Sequence, residues 1–268
     1  MTIFKWIGEV KRRNALLANV GLGHFVLLLA MLVLFFIDSR TVLGINVWIK
    51  PIKFAVSIGI FCWTMAWFMY DLQGFSKTIK VLSWVFAIAM MTEMAIIFVQ
   101  AARGQMSHFN ISSPLNATLF SIMGAMIGIS SLGVLVVLIL YLLRKPDLPA
   151  AYLLGVRLGL LSLLLASYEG TLIIQNLGHT IGAPDGGRGL PLLNWSVSHG
   201  DLRVAHFLGL HGMQFIPLVA WLIHKYELKD NIGKQLFLTW LFAIIYLFFI
   251  WYLYHLAMLG KPLLHVGG

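Results

Sequence analysis

Residues 16–37 read LLANVGLGHFVLLLAMLVLFFI, a stretch without one formal charge. A helix needs about 20 apolar residues to cross the hydrocarbon core of a bilayer, and there its backbone groups must be bonded within the segment. The stretch therefore reads as a spanning helix. Lys5, Lys11, Arg12 and Arg13 precede it. The run is longer than the roughly 7–15 apolar residues of a secretory signal core, so an uncleaved signal anchor is expected.

Six further apolar runs of spanning length follow, at about 47–70, 79–102, 117–143, 151–175, 203–224 and 235–259. Charge, proline or glycine closes them, as in Arg144-Lys145-Pro146 and Gly260-Lys261-Pro262. Of the 268 residues 60% are hydrophobic and 11% charged, whereas about a quarter of a soluble domain is charged. The runs are continuous instead of alternating, which favours helices over the strands of an outer-membrane barrel. The expected fold is all-α, a single membrane domain over 1–268 built as a bundle of seven transmembrane helices, with no tandem or inverted repeat.

The formal charge of +9 is not spread as a basic stripe with interleaved aromatics, so nucleic acid is not an expected partner. It carries topology instead. Lys5, Lys11, Arg12, Arg13, Lys77, Lys80, Arg144, Lys145, Lys225, Lys229 and Lys234 fall on one side of the spans; Arg40, Arg103, Arg188, Arg203 and Lys261 fall on the other. Basic residues accumulate on the cytoplasmic side. The amino terminus is thus expected inside and the carboxyl terminus outside, with 103–116 and 176–202 as outer loops. Cys62, the single cysteine, lies within an apolar run and can form no intramolecular disulfide. Gly124/Gly128 and Gly155/Gly159 have the small-residue spacing that lets helix backbones approach, and both pairs are read as internal packing.

Charge inside a spanning segment costs about 2.5–3.5 kcal/mol at its centre on insertion scales, so each instance needs a reason. The instances are Lys50, Lys53, Glu93, Arg157 and Glu169. At about 100° per residue, Lys50, Lys53 and Ser57 share one arc; Glu93 and Gln100 lie seven apart, as do Ser162, Glu169 and Asn176. Three polar stripes facing a common interior are expected, with Lys53 close to Glu93 and Glu169. Lys50 reads as snorkelling to the headgroups. The two glutamates are either structural ion pairs or the working groups of a site.

Histidines are concentrated towards the outer side: His108, His179, His199, His206, His255 and His265, with His24 and His211 deeper. Imidazole suits metal, haem or proton chemistry. His24, His206, His211 and His255 are the candidate ligands. His206 and His211 are five apart, about 140° around a helix, which is not a chelating pair. A single haem between His211 and His24, or between His206 and His255, fits better than two. In the glycine-rich loop Asp185 and Arg188 are expected to brace each other, and Asp201 to cap the sixth helix. Arg203 and Gln214, with His206 and His211, are expected to line an outward pocket beneath that loop. Lys50, Lys53, Gln100 and Arg103 complete the candidate anion contacts.

The segments Trp48-Ile49-Lys50-Pro51-Ile52-Lys53-Phe54, Gln100-Ala101-Ala102-Arg103-Gly104 with His108-Phe109-Asn110, and Gly200 through Gln214 resemble a family of bacterial polytopic inner-membrane proteins. The resemblance covers most of the chain. It implies a bacterial inner membrane and a periplasmic outer side, but no activity or cofactor. The functional expectation is a membrane-embedded metal- or haem-dependent enzyme or redox protein acting on a small anion, with Glu93, Glu169, His206 and His211 as candidate catalytic groups. The alternatives are a proton-coupled small-anion transporter and a structural or sensor subunit. The lipid bilayer is the one partner the sequence requires.

The orientation is testable with introduced cysteines. Ser112→Cys and Ser198→Cys should react with an impermeant thiol reagent in cells whose outer membrane alone is permeabilised, and Lys229→Cys only after lysis. The reverse labelling order would invert the topology.

Overall fold

The computed structural model describes residues 2–72, 74–144, 146–226 and 231–264. Lys145, Lys229 and His265, used above for orientation and histidine placement, lie outside the described residues. Among the described residues there are eight helices: α1 (Ile3–Arg13), α2 (Ala15–Ile37), α3 (Ile49–Tyr70), α4 (Ser76–Ala102), α5 (Pro114–Leu143), α6 (Ala150–Gln175), α7 (Arg203–Tyr226) and α8 (Ile232–Met258). The seven from α2 to α8 are long and apolar enough to cross a membrane. The chain is a multi-pass membrane protein. Every expected span is found, with ends within three residues of those read from the sequence. The chain divides into two compact units, Met1–Val137 and Leu138–Gly268, with the boundary inside α5.

In the amino-terminal unit, α1 is a separate amphipathic helix that the sequence reading had merged into the run-up to the first span. Asn14 makes the break. Its backbone N–H closes α1 on the Val10 carbonyl, while its side chain accepts the Leu17 N–H and caps α2. Val10 is buried, and Trp6 meets Trp63 edge-on at 4.9 Å. Arg13 stacks over Trp67 at 3.7 Å and pairs with Glu9 at 2.9 Å. α2 and α3 pack ring against glycine: a Cβ on Gly59 would fall 2.6 Å from the Phe25 ring, and one on Gly21 would fall 2.5 Å from Trp63. The α2–α3 connection holds a two-residue hairpin, β1 (Thr41–Val42) with β2 (Ile45–Asn46). Its turn needs positive φ at Leu43 and Gly44.

In the carboxyl-terminal unit, α6 and α7 approach closely. A Cβ on Gly155 would fall 2.5 Å from Ala220, one on Gly159 would lie 3.0 Å from Pro217, and one on Gly212 would overlap the Ser162 hydroxyl. Ser162 donates to the Gly209 carbonyl at 2.9 Å across the same contact. The Gly155/Gly159 pair is therefore internal packing, as its spacing suggests. Gly124/Gly128 is not: no heavy atom lies within 4 Å of a Cβ built on either. Spacing alone cannot tell a face turned to a neighbour from one left open. Arg157, an intramembrane charge, donates to the Tyr141 carbonyl at 2.9 and 2.6 Å and to that of Arg144 at 3.3 Å. It satisfies the end of α5, where a helix dipole favours a cation.

Gly212→Leu should destabilise the protein by about 1–3 kcal/mol or more, because that side chain must displace α6. Gly128→Leu should leave the detergent melting temperature nearly unchanged. Equal losses in the two variants would show that the α6–α7 approach is not what makes the small residue necessary.

Candidate functional site

In the amino-terminal unit the polar system starts where α3 begins. Pro51 within the first turn places Lys50 and Lys53 one turn apart, both half-buried. Lys50 is bonded within the fold. Its Nζ lies 3.0 Å from Nδ1 of His108, in the α4–α5 connection, and the Ser107 hydroxyl lies 3.1 Å from the same nitrogen. An ammonium has only protons to give, so Nδ1 accepts and the imidazole carries its proton on Nε2. Phe54, Phe109 and Phe120 surround this ring at 5.7–6.2 Å.

Glu93 on α4 is 2% exposed, and its Oε2 has no hydrogen-bond partner. A bare carboxylate in such surroundings is costly unless a proton, a donor or a cation compensates it. Gln100 and Arg103, also candidate anion contacts, tie the connection together. Arg103 donates to the Gln100 side-chain oxygen at 2.6 Å, and Gln100 to Asn116 at 3.0 Å and to the Met106 carbonyl at 3.1 Å. His24 is buried, with Nδ1 on the Val20 carbonyl at 2.7 Å and no hydrogen bond at Nε2.

In the carboxyl-terminal unit, the 176–202 connection is a folded cap. β3 (Thr180–Ile181) pairs with β4 (Gly200–Asp201), and Gly189 bridges to Ser196. Asp185 does not brace Arg188. Its carboxylate accepts the His179 ring at 2.6 Å and the backbone N–H groups of His179 and Thr180 at 3.0 and 2.9 Å. Arg188 is exposed. Asp201 is buried, caps α7 through the Arg203 N–H at 3.0 Å, and also binds the Arg203 guanidinium at 2.9 and 2.6 Å. Arg203 further donates to the Asn194 carbonyl. Its charge is therefore compensated within the cap.

A cavity of about 230 Å³ lies in this cap, lined by Thr180, Asn194, Ser196, His199 and Arg203 among others. Arg203 is thus where an outward pocket was expected, but His206, His211 and Gln214 are not among its lining residues. His206 bonds to the Ala166 carbonyl at 2.9 Å, and its ring lies over Gly170, where a Cβ would fall 3.0 Å from it. His211 meets the Gln214 side-chain oxygen at 3.2 Å and packs on Phe207. His255 is exposed and stacked on Trp251. Glu169 is 7% exposed, with Oε1 unpartnered.

Among the described residues, no three His, Cys, Asp or Glu side chains form a group able to hold a metal ion. His108 was visible in the sequence as a loop histidine, but its pairing with Lys50 across 58 positions had no local signal. No family profile matches the chain, and no curated protein or solved structure is significantly similar to it. Fold and site together define a multi-pass membrane protein with a buried, incompletely compensated carboxyl in each of its two units.

The Asp185 anchor gives a pH prediction. Burial alone would raise its pKa, but the His179 ring and the two amides outweigh that and hold it well below the usual carboxylate range. A depressed carboxyl contributes stability that is complete above its unfolded value, about 4, and is lost only as pH falls further, through the folded value. The cap should resist proteolysis unchanged from pH 8 to 5. Asp185→Asn should weaken it by about 2 kcal/mol throughout that range. Equal cleavage of variant and wild type would remove Asp185 as the anchor.

Proposed function

We propose that this chain is a proton-coupled carrier of a small anion in a bacterial inner membrane, with Lys50 and Lys53 as the anion contacts and Glu93 as the proton-exchanging group. The observation that carries this reading is Glu93, buried on α4 with Oε2 unpartnered, beside α3, whose Lys50 is bonded to His108. Anion and carboxylate compete for the same positive charge. When an anion takes it, Glu93 is left needing a proton, so anion and proton enter together. Release of the anion returns the lysine charge to Glu93 and frees the proton. This is a coupling free energy between two ligands at one site, and it acts reciprocally. His108 holds Lys50 in place.

A metal- or haem-dependent enzyme or redox protein would draw on His206, His211 and His255 in the carboxyl-terminal unit. Those rings rest on the Ala166 carbonyl, the Gln214 amide and the Trp251 face. That reading has less support. In metal-free proteoliposomes with an imposed pH gradient, the wild type should take up a small inorganic or carboxylate anion. Glu93→Gln should lose the response to the gradient at least about tenfold while still exchanging anion, since one charged partner of this kind is worth over 1.4 kcal/mol. Lys53→Met should chiefly raise the half-saturating anion concentration. Uptake indifferent to the gradient, or a purified protein with stoichiometric metal or a Soret band, would overturn the proposal.

A further inference from the structure

A second cavity, of about 560 Å³, lies in the amino-terminal unit at the end of the spans where α3 passes into α4. It is separate from the Lys50–His108 system, which stands at the opposite ends of these helices. Arg13, Ser76 and Lys80 line it, as do Leu16, Ile79 and Trp84. Arg13 and Ser76 sit at the helix ends and Lys80 about one turn into α4, whereas Trp84 is eight residues into α4, about 12 Å along its axis. The space therefore runs from headgroup level into the acyl region, with Arg13 and Lys80 within its first turn and the apolar wall continuing to Trp84. Trp84 is 52% exposed and forms the deep end of the apolar wall.

Charge accounting at the mouth favours an anion. Glu9 is engaged by Arg12 and Arg13, and Asp71 by Arg13. Glu9 is satisfied within the fold, the Arg12 and Arg13 guanidiniums holding its carboxyl at about 2. Lys80 is exposed and makes no ion pair among the described residues. Arg13 has Nε and Nη1 engaged, and its stacking on Trp67 fixes the plane of the guanidinium. The floor is closed by Asn14 donating to the Ser83 hydroxyl at 2.7 Å, so the groove is a shaped site and not a gap between loose helices. A soluble anion would use the cations and leave the apolar wall wet. An uncharged lipid would use the wall and leave the cations unanswered.

We infer that this groove binds one anionic glycerophospholipid, its phosphate between Arg13 and Lys80 and an acyl chain along Leu16, Ile79 and Trp84. The lipid joins α1 to α4 at the membrane surface and stabilises the docked position of α1.

The test is thermal stability of the full chain in neutral detergent, titrated separately with dioleoylphosphatidylglycerol, dioleoylphosphatidylcholine and inorganic phosphate. Phosphatidylglycerol should raise the midpoint saturably, and the other two should not. Lys80→Gln removes an exposed charge without breaking any fold contact and should raise the half-saturating lipid concentration about fivefold. Lys77→Gln removes the same charge outside the cavity and should leave it unchanged. Equal stabilisation by phosphatidylcholine would show an unselective groove, and equal stabilisation by phosphate a free-anion site. A matching loss in Lys77→Gln would show a general surface-charge effect. Any of the three overturns the inference.

Discussion

Hydrocarbon leaves a polar group nothing to bond with except the protein itself, and the arrangement of this chain follows from that constraint. It explains why the backbone is helical wherever it is apolar and why the connections are knotted with side-chain to backbone bonds. Asp38 illustrates the pattern. Its carboxylate accepts from Arg40 and from the Trp48 indole, while its carbonyl accepts the Asn46 amide. One short acidic residue thereby closes the whole turn from α2 into α3. Gln100 does the same between α4 and α5, and Asp201 between the cap and α7. Most charged or amide side chains near the spans are used in this way. Among the described residues, the buried side-chain atoms without a hydrogen-bond partner, Oε2 of Glu93 and Oε1 of Glu169 among them, stand out.

The fold was legible because its signal is local. A run such as 235–259 needs no knowledge of its neighbours to be read as a span, and the structure displaces its ends by no more than three residues. What was missed at this level was also a matter of scale. α1 is only 11 residues long and strongly charged, and its helical character is set by Asn14, which stops one helix and starts the next. The two-residue strands are held by turn geometry and by Asp201 and Asp185, none of which shows as periodicity.

The site was legible in its ingredients more than in its pairings. Lys50, Lys53, Glu93 and Glu169 were marked by the cost of placing charge in the membrane, and all are at least half-buried. Arg203 was marked too, and its partner proved to be Asp201, two residues away, which spacing alone did not indicate. Helical spacing gives direction around an axis and says nothing about which neighbour lies there. That is why Gly155/Gly159 and Gly124/Gly128, identical in spacing, differ completely in surroundings.

Arg157 has a consequence for biosynthesis. The carbonyls of Tyr141 and Arg144 at the end of α5 are satisfied by a side chain that lies on the following helix. During synthesis α5 emerges first, and until α6 has entered the bilayer its last turn must keep those carbonyls hydrated. The arginine in turn has no carbonyl acceptor until α5 is beside it. Each helix thus lacks part of its hydrogen bonding without the other, and the two are expected to commit to the membrane as a hairpin, not one at a time.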